Sequence, residues 1–147
     1  VGYDMSMFEV SNKDINKISG KYGGGYANIT MNGQLNLVIK KDKLTFSQLF
    51  KTYHILNLEN ITDVQYKSKQ EISKDITLTR LLAFGIFALG LKKKKVDNSY
   101  FIIISTLEDG FENDFVLEIE NTIGLGATMA QGFVKTLRNK VTEYKKV

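Results

Sequence analysis

Residues 33–46, GQLNLVIKKDKLTF, leave the chain little choice but paired strands. Leu35, Leu37 and Ile39 recur at every second position, Lys41-Asp42 interrupts, and Leu44 and Phe46 resume the same period. A two-residue period puts all five side chains on one face of a pleated surface. Asn32-Gly33, just upstream, is a strong short-range hairpin signal, because both residues tolerate the positive φ that a tight turn needs. The texture continues to residue 79. Tyr53 and Ile55 alternate with His54 and Leu56. Ile61, Val64 and Tyr66 form a further run interrupted near Asp63, and Ile76 and Leu78 alternate with Thr77 and Thr79.

The pattern then changes. Leu81 to Leu91 carry no polar side chain, and Lys92, Lys93, Lys94 and Lys95 follow without a break. Spanning a bilayer takes about 20 apolar residues, and eleven in a helix cover only ~17 Å of a ~30 Å hydrocarbon core. A lone strand there would leave its backbone groups unpaired in lipid. The run therefore does not span. Its Leu, Ala and Phe content, with Thr79 placed to cap the start and Gly90 the end, favours a helix. Such a helix is apolar all round and expects burial on most faces. An interfacial segment dipping into a membrane and a buried strand remain as alternatives.

Beyond the lysines, SYFIIIST (99–106) is apolar on both faces, as a central strand would be. Glu108-Asp109-Gly110 reads as a turn, and Phe115, Leu117 and Ile119 alternate with Val116, Glu118 and Glu120. Leu125, Met129, Phe133, Leu137 and Val141, with Ala130, Val134 and Tyr144 beside them, predict a terminal amphipathic helix. Lys135, Arg138, Lys140, Lys145 and Lys146 are expected to face outward or to sit near the C-terminus. Phe8, Val10, Ile15 and Ile18 suggest a short helix in a weakly patterned segment, 1–20. No linker or repeat divides the remainder, 21–147, from itself, so one domain is expected there.

These signals together predict a mainly β (α+β) fold. The expected form is a small antiparallel barrel or two packed sheets of about seven strands. A short apolar helix near 80–90 and a C-terminal helix near 125–146 complete it.

The chemistry-bearing residues are few. With no cysteine there is neither disulfide nor thiolate, which fits a reducing, cytoplasmic setting. One histidine, His54, makes a histidine metal site or a catalytic triad improbable, and no metal or cofactor is expected. Glu112, Asp114, Glu118 and Glu120 alternate with apolar residues as a wetted face does, and nothing forces them to converge as an acid–base pair must. A non-catalytic role is expected, and a small hydrolase, which would need a deep pocket around His54 or the acidic strand, is the remaining alternative. Gly23-Gly24-Gly25 lacks the Gly-Lys-Ser/Thr of a phosphate loop and reads as a strand bend. The formal net charge is +4, and only Arg80 and Arg138 of the 20 basic residues are arginine. So lysine-rich a chain is poorly equipped for sequence-specific nucleic-acid readout. The opening VGYDM has neither a basic nor an apolar region, so it is not expected to act as a signal peptide.

The order of these features resembles a bacterial pleckstrin-homology-like (PH-like or GRAM-like) domain. The resemblance rests on the Gly-Gly-Tyr before the first hairpin and on QLNLVIKKDKLTF, LENITDVQ and TLTRLLAFGIFALGLKKKK. The strands YFIIIS and DFVLEIE and the terminal helix extend it over about residues 21–146. It implies a non-catalytic module for a protein or peptide partner. The alternative is a peripheral module at the inner face of the membrane. In lipid-binding members the headgroup sits at basic residues around the first hairpin loop. The matching loop here, 30–34, has none, and the lysines gather at Lys40, Lys41 and Lys43 and at Lys92 to Lys95. Four lysines near an anionic membrane contribute about 4 kcal/mol, so stable attachment would need a second element.

Overall fold

The computed structural model describes residues 15–26, 29, 33–68, 71, 99–120 and 125–145. Seven strands form one antiparallel sheet: β1 (Lys17–Gly24), β2 (Gln34–Lys40), β3 (Lys43–Gln48), β4 (Lys51–Asn57), β5 (Ile61–Ser68), β6 (Ser99–Glu108) and β7 (Phe111–Glu120). Among the described residues a 3-10 turn, Leu58–Asn60, joins β4 to β5, and a helix, α1 (Leu125–Lys145), follows the sheet. The apolar run 81–91, its lysines 92–95, and Ile76 and Leu78 lie outside the described residues, as do Phe8 and Val10.

The strand order is β4-β3-β2-β1-β7-β6-β5, which leaves β4 and β5 outermost. Among the described residues no ladder joins these two strands, so the architecture is one open sheet of seven strands, not the closed barrel or the two packed sheets that the sequence suggests. The sheet is nevertheless strongly curled. Adjacent strands are spaced about 4.8 Å apart, so β4 and β6 would stand ~24 Å apart if the sheet were flat. Instead Nε2 of His54 on β4 lies 3.9 Å from the Glu108 carboxylate on β6. The Phe46 and Phe115 rings, from β3 and β7, meet at 4.7 Å. Register shifts at Tyr22/Gly24, Phe46/Ser47 and Ile61/Asp63 are the bends that permit this, since a bulge kinks its strand and increases local twist. The last of them falls where the sequence pattern breaks at Asp63.

The inner face follows the two-residue period closely. Leu35, Leu37, Leu44, Phe46, Leu56, Ile102, Ile104, Phe115 and Leu117 are buried in one core with Ala130, Phe133, Val134 and Leu137 of α1. Each such side chain contributes roughly 1.5–3 kcal/mol. On the opposite face of β6 and β7, Phe101, Ile103 and Val116 are buried too, as the doubly apolar sequence predicts for a strand flanked on both sides.

Three details depart from the sequence pattern. β1 begins at Lys17, so Ile18 lies in a strand and not in a short helix. Its inward positions are Ile18, Gly20 and Tyr22, and the glycine masks the alternation. A methyl group at Gly20 would meet the Glu118 carbonyl at 2.6 Å, so β1 and β7 approach there as only glycine allows. Second, β1 ends at Gly24 and β2 starts at Gln34, so Asn32-Gly33 is not a two-residue turn, and Asn32 itself lies outside the described residues. Third, Leu125, Met129 and Tyr144 of α1 are exposed, because only the middle of the helix covers the sheet.

Helix α1 also closes one outer edge. Nε of Arg138 donates to the Val64 carbonyl at 2.6 Å, and Nζ of Lys145 donates to that of Ile61 at 2.7 Å. Both acceptors belong to β5. Both side chains are exposed, as the sequence predicts, and their tips satisfy carbonyl groups that an outermost strand leaves available for pairing.

Candidate functional site

The antiparallel ladders place the β1–β2 loop, the β3–β4 turn and the β6–β7 turn at one end of the sheet, and the β2–β3 turn at the other. The three-turn end is the mouth of the curl. Its geometry starts with the glycine run. Gly24 and Gly25 have φ of 120° and 128°, values that L side chains rarely adopt. A Cβ on Gly25 would overlap the Asp114 carbonyl. The bend is stapled by Tyr22, whose hydroxyl donates to the Tyr26 carbonyl and accepts from the Tyr26 amide, both at 2.8 Å. Asn113 of β7 donates from Nδ2 to the Gly25 carbonyl, which ties the bend to the neighbouring strand.

The bend delivers Tyr26 into the mouth. Its ring lies 4.3 Å from the His54 ring and 5.6 Å from that of Phe46. Its hydroxyl donates to Oε1 of Glu108 at 3.3 Å, the same oxygen that faces His54. A phenol, an imidazole and a carboxylate therefore form a polar lid over the Phe46–Phe115 pair. Burial raises the Tyr26 phenol to about 12; the Glu108 carboxylate adds to the rise, and a bond to Thr106 opposes it. Burial lowers the His54 imidazole below its ordinary value, against the opposing pull of Glu108. At neutral pH the lid holds a protonated phenol and a neutral imidazole beside one carboxylate.

Around this lid the turns carry apolar side chains that the core does not use. Leu49 is 87% exposed, Phe50 fully so, and Phe111 78%. Leu49 sits at φ 53°, a left-handed conformation that is costly for a bulky side chain. At that exposure its burial offsets nothing. Backbone strain of this kind, with no packing to account for it, is a pointer to function. The end of the β6–β7 hairpin adds Glu108, Asp109 and, on its outer face, Glu112, while Lys51, whose Nζ lies 4.8 Å over the Tyr53 ring, is the cation at the β3–β4 turn.

The residues singled out in the sequence are scattered by comparison. Lys40, Lys41 and Lys43 stand together and exposed at the β2–β3 turn, with Lys40 directly opposite Lys43 and Lys41 at φ 45°. That turn is at the end of the sheet away from the mouth. Lys92 to Lys95 lie outside the described residues. Glu112, Asp114, Glu118 and Glu120 line the outer face of β7, and Glu118 is buried with Ser99 donating to it at 3.1 Å. The acidic neighbour of His54 is Glu108, which the sequence places only in a turn. Among the described residues no group of His, Cys, Asp and Glu is arranged to hold a metal ion, and no helix is long and apolar enough to cross a membrane.

No family model matches the chain, and no curated protein matches it.

Proposed function

We propose that the chain is a non-catalytic, PH-like binding module that works through a protein or peptide partner at the mouth of its curled sheet. The observation that carries this is the exposure of Leu49, Phe50 and Phe111 on two turns joined by the Tyr26–His54–Glu108 contacts. Exposed aromatic side chains such as Phe50 and Phe111 are enriched where protein interfaces form. A meander of four strands, then three, then a helix, with strand order β4-β3-β2-β1-β7-β6-β5, supports the PH-like reading. The acidic β6–β7 turn weighs against an anionic headgroup at this end. Among the described residues no arginine, the bidentate donor that such a ligand favours, lies at this end.

A second reading, a peripheral membrane module, draws support from Lys40, Lys41 and Lys43, whose like charges crowd one exposed turn. An anionic surface would relieve that repulsion at about 1 kcal/mol per lysine. Co-sedimentation with phosphatidylcholine and phosphatidylserine vesicles at two salt concentrations separates the readings. The protein-binding module remains in the supernatant throughout. Salt-sensitive sedimentation with the anionic vesicles, lost on changing Lys40, Lys41 and Lys43 or Lys92 to Lys95 to glutamine, establishes the membrane reading instead.

A further inference from the structure

We infer that the partner surface seated at the mouth is cationic as well as apolar: a segment that offers lysine or arginine side chains between aliphatic or aromatic ones. The inference rests on the protein-binding reading and specifies its chemistry. The apolar part of the site is Leu49, Phe50 and Phe111, all exposed. A membrane, a second copy of this chain and a protein partner could each bury such side chains, and charge distinguishes between them. Glu108, Asp109 and Glu112 belong to the same hairpin end as Phe111, and the 3.9 Å approach of His54 to Glu108 brings that end against the strand that follows Phe50.

An anionic bilayer pressed on Phe50 would meet these carboxylates with like charge. Two mouths facing each other about a two-fold axis would oppose acidic turn to acidic turn, because an isologous contact sets the same patch against itself. A cationic partner meets opposite charge, which both steers the encounter and fixes its register. Glu108 is suited to the central role. Its Oε1 is held by the Tyr26 hydroxyl on the inner side, and its side chain is one-third exposed on the other, so an incoming guanidinium or ammonium finds an oriented acceptor. The Phe111 ring, directly opposite Glu108 in the β6–β7 ladder, would shield that contact from water, and the exposed faces of Phe50 and Phe111 attract cations in their own right.

The test is titration of the full 15N-labelled chain with three short synthetic peptides: leucine alternating with lysine, leucine alternating with glutamate, and serine alternating with lysine. The expected result is that the leucine–lysine peptide shifts the resonances of residues 49–51 and 108–112. The serine–lysine peptide binds at least tenfold more weakly, and the leucine–glutamate peptide causes no shift. The variants Phe50→Ser/Phe111→Ser and Asp109→Asn/Glu112→Gln each weaken leucine–lysine binding at least tenfold. All four changed residues are exposed, so the spectra also report that the variants stay folded.

Leucine–lysine binding that shifts other residues, or that neither variant weakens, overturns the inference. Shifts at the mouth from the leucine–glutamate peptide overturn the cationic preference and leave protein binding standing. If no peptide shifts the mouth while phosphatidylcholine vesicles sediment the chain through Phe50, both readings fall.

Discussion

Replacing Phe46 and Phe115 by leucine, singly and together, tests the curl on which the mouth depends. The two rings sit on β3 and β7, three strand spacings apart in the sheet order. In a flat sheet that is ~14 Å, beyond the 7–10 Å at which mutational effects usually become additive. Here the centroids are 4.7 Å apart at 45°, and both side chains are fully buried. A tilted aromatic pair at this distance couples by about 0.5–1.5 kcal/mol beyond the area it buries. Each single Phe→Leu change, which keeps an apolar side chain of similar volume, is expected to cost roughly 1–1.5 kcal/mol. The double variant should then be less destabilised than the sum of the singles, by the coupling energy. Urea unfolding of the four proteins, followed by far-UV circular dichroism because the chain has no tryptophan, measures this. With a slope of about 1–3 kcal/mol per molar, 1 kcal/mol of coupling displaces a midpoint by about half a molar. Additivity within about 0.5 kcal/mol would refute the curled sheet, because rings held apart by a flat sheet cannot couple.

Further outcomes follow from the same geometry. Leu49→Asn should raise stability by up to ~1 kcal/mol, since asparagine tolerates the left-handed conformation at φ 53° that leucine does not; a lower urea midpoint would show that the strain is absent. Because burial holds the folded His54 below its ordinary pKa, the unfolded chain binds a proton there first as pH falls. His54 therefore contributes stability above about pH 6.5 that is lost on acidification, and His54→Gln should flatten the wild-type difference between pH 7.5 and pH 5.5. Arg138→Met removes the donor to the Val64 carbonyl and, because the arginine is exposed, should cost about 0.5–1.5 kcal/mol in urea unfolding. The same change should speed amide exchange in β5 and promote edge-to-edge association at high concentration, visible by light scattering.

The sequence made the sheet legible where local rules suffice. Leu35-Leu37-Ile39 and Leu44-Phe46 declare their inner face by period alone, the break at Asp63 became a bulge, and Asp109-Gly110, with φ of 51° and 82°, became the tight turn their residue types favour. Where glycine replaces an apolar side chain at an inward position, as at Gly20, the period disappears and nothing in the pattern marks the start of β1. The mouth was illegible for a different reason. Tyr26, His54 and Glu108 are separated by 82 residues from first to last, and only the accumulated twist and three bulges bring them together. No spacing rule carries that information. A weak signal was present in QLFK: two apolar residues at a turn, where the tip of a hairpin ordinarily carries polar ones. Arg138 and Lys145 are exposed, as the helical period predicts, but nothing in that period shows which carbonyl groups their tips reach.

The central claim is that a protein partner docks on the mouth. A benzophenone photo-crosslinker at position 50, irradiated in the cells that make the chain, tests it most directly. The reference carries the same group at position 59, exposed on the turn between β4 and β5. The account predicts a discrete protein adduct from position 50 that is absent from position 59 and lost when Phe111→Ser is added. Lipid adducts alone from position 50, or the same adducts from both positions, would contradict it.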